Sequence, residues 1–244
     1  MRARLARFTI EISPRRPAPM TLKRHTDREF EAELGRVRDN LLRMTGRVEQ
    51  MIAESVRAIL EGDALLARRT IEADHRVNRL EVDTDDLCLL VLAKRQPLGG
   101  DLRFITTAMK MVTDIERIGD LAVNIAERGL ALDGFKPAVF ASALSAMADL
   151  DQVQLRDAIE SFVGRDPDRA QAVCARDVEI DRLYGDLVLD VQRSIQGEMA
   201  FLERGVHVLA VAKFLERIGD HITNLAELVI FLVRGQDVRH AGRL

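Results

Sequence analysis

The chain of 244 residues has no tryptophan, one tyrosine and two cysteines. Aromatics make up 4% of it, which argues against a base-stacking surface for single-stranded nucleic acid. Cys88 and Cys174 have neither metal-ligand spacing nor a disulfide framework. A reducing cytoplasm is therefore the expected location. The longest apolar run covers seven residues, 87–93, far short of the ~20 that a membrane-spanning helix needs. The basic start, MRARLARFTIEISPRRPAPM, has no apolar core followed by a cleavage site. Residues 1–20 are expected to be a disordered tail, or an over-extended start with Met20 as the working initiator. The net charge of −3 gives no basic face for nucleic acid. Ser-His-Asp, Cys-His and phosphate-cradling glycine patterns are also missing.

Helical periodicity is abundant. Hydrophobic residues make up 47% of the chain, enough for a substantial core. In residues 27–61, Phe30, Leu34, Val37, Leu41, Met44, Val48 and Met51 alternate steps of four and three, a heptad seam. Gly62 is a stop and Asp63 a cap for a second helix running to about Arg95, which Pro97 and Gly99-Gly100 end. A third helix is expected from about Asp101 to Leu132. A fourth begins after Pro137 and fades at Gly164. Asp166-Pro167 opens a fifth that runs to about Gln196. A sixth spans about Glu203 to Arg234 and ends at Gly235. No segment alternates as a strand does. The expected fold is all-α, two tandem three-helix bundles divided at 21–134 and 135–235, with a tail at 236–244.

That division comes from a repeat. KFLERIGDHITNLAE (213–227) matches TDIERIGDLAVNIAE (113–127) at eight of fifteen positions. A weaker echo places EADHRVNRLE (72–81) over ARDVEIDRLY (175–184), pairing Asp74 with Asp177 and Asn78 with Asp181. Two matches in the same order indicate duplication of a three-helix unit.

On a helical wheel Glu116, Asp120, Asn124 and Glu127 fall within about 80°, opposite Ile115, Ile118, Ala122 and Ile125. Glu216, Asp220, Asn224 and Glu227 repeat the stripe. Like charges one turn apart repel, and Gly119 and Gly219 each cost up to roughly 1 kcal/mol inside a helix. A penalty paid twice suggests compensation. Two compensations stand open. One is a hard cation held by Glu116, Asp120 and Asp74, with Asn78, Glu81 and Asp85 alongside, and by Glu216, Asp220, Asp177 and Asp181. The other is ion pairing through Arg117 and Arg217. An all-oxygen set suits Mg, Ca, Mn or iron better than a zinc cage. His75 gives one Glu-x-x-His spacing without a counterpart, against a ferritin-type site. His221, at the stripe's edge, is an extra candidate ligand. The glycines serve either close helix packing or ligand access.

AKRQPLGGDLRFITTAMKMVTDIERIGDLAVNIAE (93–127) and VAKFLERIGDHITNLAELVIFLVRG (211–235) resemble the two signature regions of the PhoU family. The likeness covers about residues 20–235. It implies two three-helix bundles related by a pseudo-twofold. It implies a metal motif, an acidic residue, three spacers and Asp, holding multinuclear iron or zinc. By position this assigns Asp74, Glu116 and Asp120 to one site and Asp177, Asp181, Glu216 and Asp220 to the other. Asn78 stands where the motif expects Asp, so the first site should be the weaker. The resemblance implies a cytoplasmic negative regulator rather than an enzyme. Its partners would be the ATPase subunit of the phosphate ABC transporter and a phosphate-sensing histidine kinase, with membrane contact only through them. A homodimer is expected, and no nucleic acid. The rival reading is a carboxylate-rich metal-binding bundle, an iron-handling protein or metalloenzyme.

Overall fold

The computed structural model describes residues 28–236, apart from residue 133; both expected tails and residues 21–27 lie outside it, except for residue 236. All regular structure among the described residues is helical. Helix α1 spans Arg28–Glu61, α2 Ala64–Arg95 and α3 Gly100–Ala131. After a single 3-10 turn at Ala138–Phe140 come α4, Ala141–Gly164, α5, Pro167–Ala175, and α6, Asp177–Gly197. A second such turn at Met199–Phe201 leads into α7, Leu202–Arg234.

The chain builds two three-helix bundles. In the first, α1, α2 and α3 pack on one another. In the second, α4 and the α5–α6 rod pack on α7. All seven heptad residues of α1 are buried, so the seam read from the sequence is the face α1 turns to its bundle. Asp63 caps α2 by accepting from the Leu66 amide at 2.9 Å. Asp166 caps α5 through the Asp168 and Arg169 amides, with Pro167 in the first turn. Each cap is worth about 1 kcal/mol. Gly62 and Gly235 leave α1 and α7 at φ 68° and 72°, where a side chain would be strained.

The fifth expected helix is not continuous. It breaks at Arg176, where the Arg176 amide donates to the Val173 carbonyl at 3.0 Å and the Glu179 amide to the Arg176 carbonyl at 2.9 Å. These i→i+3 bonds replace the α-helical spacing. The Arg176 guanidinium is held by Asp157 of α4 at 2.7 Å, and its carbonyl accepts from Gln154 at 3.4 Å. No Gly or Pro marks the break, so the sequence pattern runs through it. The consequence is positional: Asp177 becomes the first residue of a new helix.

The bundles join along α3 and α7, with α1 against α4 beside them. One continuous apolar core runs through both, from Phe30 to Leu232. The seam also carries polar contacts. His221 Nδ1 lies 2.9 Å from Asp114 Oδ1, which Asn224 Nδ2 also reaches at 3.3 Å. Arg103 donates to the Leu232 carbonyl at 3.3 Å, and Arg156 pairs with Glu49 at 2.5 Å. This arrangement sets α3 and α7, which bear the repeated motif, side by side.

Candidate functional site

Each acidic stripe lies where the motif helix meets its partner helix. On α3, Ile115, Ile118, Ala122 and Ile125 are buried, as the wheel requires, while Glu116, Asp120 and Asn124 are half-buried. Their neighbours on α2 are Asp74, Asn78, Glu81 and Asp85, all half-buried. On α7 the same division places Leu215, Ile218, Ile222 and Leu225 inside. Glu216 is mostly covered, with 13% of its side chain exposed, whereas Asp220 and Asp181 are exposed and Asp177 half-buried. The stripes are therefore not simply solvated faces.

The repeat glycines explain how close the helices come. A Cβ on Gly119 would lie 3.5 Å from Asp74 Oδ1 and Val77 Cγ1 and 3.6 Å from Val48 Cγ2. A Cβ on Gly219 would lie 3.0 Å from Ile180 Cγ2 and 3.6 Å from Asp151 Oδ1. Close packing is thus a requirement at Gly219, whereas Gly119 has room for a methyl. The same contacts fix the correspondence between bundles. Val77 matches Ile180, and Val48 of α1 matches Asp151 of α4.

The electrostatics differ accordingly. In the first stripe Arg117 lies 3.5 Å from Glu116 and 3.2 Å from Asp120. Asn78 donates to Asp74 Oδ2 at 2.8 Å, leaving Asp74 Oδ1 buried and unpaired. Burial, reinforced by Asp120, pushes the Glu116 carboxyl up to about 7. Burial likewise raises Asp74, Glu81 and Asp85. In the second stripe Lys213 takes Glu216 at 2.5 Å and Thr223 donates to Asp177 at 3.1 Å. Burial raises Asp177, an effect that Thr223 opposes and that Asp181 and Glu216 reinforce. Sequence reasoning missed Asp151. It is a fully buried carboxylate, and the signal was available as a polar residue on the apolar face of α4.

Of the two compensations, the ion pairing is visible in part. Ion pairs hold several carboxylates, and among the described residues no three His, Cys, Asp or Glu side chains are grouped so as to hold a metal ion. The unpaired buried oxygens of Asp74, Asp85 and Asp151 nevertheless suit a hard cation in donor chemistry. Neither histidine joins a stripe. His221 faces Asp114 across the bundle seam, and His75 lines a separate groove with Arg43, Arg47, Arg76 and Arg79. Cys88 and Cys174 are free thiols that burial pushes up to about 12 and about 11, which disfavours the thiolate form.

Fold and site together define an all-helical double bundle with duplicated carboxylate stripes on adjoining motif helices. The PhoU domain family model matches residues 41–129 and again 144–229, and the chain belongs to that family. A phosphate-specific transport system accessory protein PhoU homolog of Pseudomonas putida is 39% identical over 91% of this chain and 87% of its own length. The crystal structure of PhoU from Pseudomonas aeruginosa superposes with a TM-score of 0.80 at 36% identity, covering 85% of this chain and all of that one. The phosphate transport system regulatory protein PhoU from Streptococcus pneumoniae gives 0.78 at 26% identity, over 86% of this chain and 99% of its own.

Proposed function

We propose that the chain is a negative regulator of the phosphate-starvation response. In this reading it acts in the cytoplasm, couples the ATPase subunit of a phosphate ABC transporter to a phosphate-sensing histidine kinase, and modulates phosphate uptake. One observation carries the reading. Two copies of the Glu-Arg-Ile-Gly-Asp helix lie side by side in a double bundle shared with a phosphate transport regulatory protein at TM-score 0.78. The relatives are named as accessory and regulatory proteins, and the role is one of docking rather than catalysis. No helix among the described residues is long and apolar enough to cross a membrane, so membrane contact would come through the partners. The functional units are the repeats at 21–134 and 135–235, and the chain acts as a homodimer.

The stripes serve this role as cation sites. Asp74, Glu116 and Asp120 would hold one cation; Asp177, Asp181, Glu216 and Asp220 would hold the other. Bound there, iron, zinc or a harder divalent ion would neutralise the carboxylates and cross-brace α3 to α2 and α7 to α6. The chain's own residues supply the frame. Gly219 lets α7 approach Ile180, while Lys213 pairs with Glu216 and Arg117 with Glu116 and Asp120. The metal-handling alternative uses the same carboxylates, supported by the buried, unpaired Oδ1 of Asp74.

A deletion strain with no second homologous gene tests the regulator. Alkaline phosphatase is expected to be derepressed in high phosphate and restored to repression by the cloned gene. Continued repression without the gene would sink the reading. Affinity capture should recover the transporter ATPase or the kinase; recovery of neither at any phosphate level removes the adaptor role.

A further inference from the structure

A cationic groove runs between α1 and α2. Arg43 and Arg47 of α1 and Arg76 and Arg79 of α2 line a space of about 310 Å³, together with His75. All four arginines are exposed. Arg43 and Arg47 lie one turn apart on their helix, and so do Arg76 and Arg79, an unfavourable spacing for like charges. The contacts of Arg43 do not neutralise it: its guanidinium donates to the Asn40 side-chain oxygen and, at 3.4 Å, to the Asp39 carbonyl. Asp83 is the one acid among the described residues that line the groove. This concentration of positive charge stands in a chain whose net charge is −3. It is also separate from the carboxylate stripes, because Asp74 turns towards Gly119 of α3, whereas Arg76 and Arg79 share the groove with α1.

Packing does not require these charges. The matches of Val77 with Ile180 and of Val48 with Asp151 relate the two bundles residue by residue. In the same register, the second bundle has Ala146 for Arg43, Leu150 for Arg47, Val178 for His75 and Glu179 for Arg76. Arg79 alone keeps a cationic counterpart, Arg182, which pairs with Asp186 at 3.2 Å. A bundle of this pattern therefore folds without the cluster, and the repulsion among the arginines of the first bundle calls for a compensating anion.

The lining selects among anions. Guanidinium forks match the paired oxygens of phosphoryl and carboxylate groups. Beyond Arg43 the trough continues past Arg36 to Asp83, Asp86, Leu87 and Leu90. Those acids would repel an extended acidic segment, so the cluster favours an anion no longer than itself. The chain's own ends are excluded by charge, since residues 1–27 and 237–244 each carry more Lys and Arg than Asp and Glu. No aromatic residue is among the described residues that line the groove, so a nucleobase would have nothing to stack on. Four guanidiniums exceed the charge of a single phosphate group, and about 310 Å³ lies at the lower limit for small-molecule sites. The geometry points to a site for a compact oligophosphate anion, of the size of pyrophosphate or tripolyphosphate, held by Arg43, Arg47, Arg76 and Arg79. The site depends neither on cations at the stripes nor on the regulatory role.

Calorimetric titration of the full chain in excess EDTA tests the assignment, because the chelator removes any metal bridge to phosphate oxygens. Tripolyphosphate is expected to bind once per chain, at least tenfold more tightly than orthophosphate, with pyrophosphate between them and with an affinity that falls as salt rises. Arg47→Leu combined with Arg76→Glu copies the second bundle and should weaken tripolyphosphate binding at least tenfold, whereas Arg182→Glu should leave it unchanged. Arg76→Gln and Arg79→Gln, each expected to weaken binding several-fold, serve if the double variant does not fold. Absence of tripolyphosphate binding by the wild type, or an affinity that the folded variants leave untouched, would overturn the site. ATP binding tenfold tighter than tripolyphosphate would overturn the free oligophosphate in favour of a nucleotide. Binding of polyglutamate in place of tripolyphosphate would overturn it in favour of an acidic protein.

Discussion

The two bundles descend from one sequence pattern but resolve the same electrostatic problem differently. In the first, α1 contributes Val48, α2 contributes Asn78, and Arg117 reaches both acids of the motif. In the second, the matching positions hold Asp151 and Asp181, and Lys213 takes Glu216. The first keeps its carboxylates on half-buried positions of two helices, whereas the second sets one, Asp151, where it has no exposed surface. Duplication preserves the helix register, because the core depends on it, while each stripe is free to diverge in charge.

Exchanging the distinguishing residue should give the largest effect. Val48→Asp places a carboxylate in a fully buried site of the first bundle and should cost about 4 kcal/mol in metal-free protein. Asp151→Val should gain about 2 kcal/mol. Chemical denaturation of both variants measures this; small changes in both would show that a buried carboxylate at this position carries little penalty.

The clamps between helices should separate next. In the first bundle Arg95 donates to Glu33 at 2.9 and 3.3 Å, and only 4% of the Glu33 side chain is exposed. Arg95→Ala leaves that acid buried and should cost about 3 kcal/mol. Arg176→Ala removes a more exposed contact with Asp157, 39% of the Arg176 side chain being exposed, and should cost about 1 kcal/mol. Hydrogen exchange should show the first loss concentrated in α1 and α2.

The motif glycines give a smaller contrast. Gly119→Ala meets only ordinary contacts and should stabilise the chain by up to about 1 kcal/mol through helix propensity. Gly219→Ala must displace Ile180, so the gain should vanish or reverse. Thermal melts of the pair decide it; identical shifts would rule out the tighter packing at Gly219.

The pH dependence is the subtlest test. Burial and Asp120 raise the Glu116 carboxyl to about 7 in the folded chain, above its unfolded value, so the native state binds the extra proton. That contribution is fully present below the unfolded pKa and is lost as pH rises through about 7. Chelator-treated protein should therefore lose stability from about pH 5 to about pH 8. Glu116→Gln should flatten that slope, and a slope unchanged by the substitution would assign it elsewhere.

Much of this molecule is legible in one dimension. The heptad of α1, the caps at Asp63 and Asp166 and the stops at Gly62 and Gly235 all lie where periodicity and turn chemistry put them, because each depends on residues within a turn or two. The repeat also revealed two bundles before any contact was known. The break at Arg176 was not legible, since it is imposed by Gln154 and Asp157 from another helix. The face of His221 was likewise undecidable: a position at the edge of the wheel goes to whichever neighbour is nearer, here Asp114 of the other bundle.

By itself the sequence determined the helical segments except for the break at Arg176, their duplication and the gathering of carboxylates on one side of each motif helix. These follow from a fixed rotation per residue. Tertiary structure alone decided which carboxylates meet a cationic partner, and that a buried aspartate of α4 lies behind the second stripe. Burial and partnership depend on residues far apart in the chain, and no local periodicity encodes them.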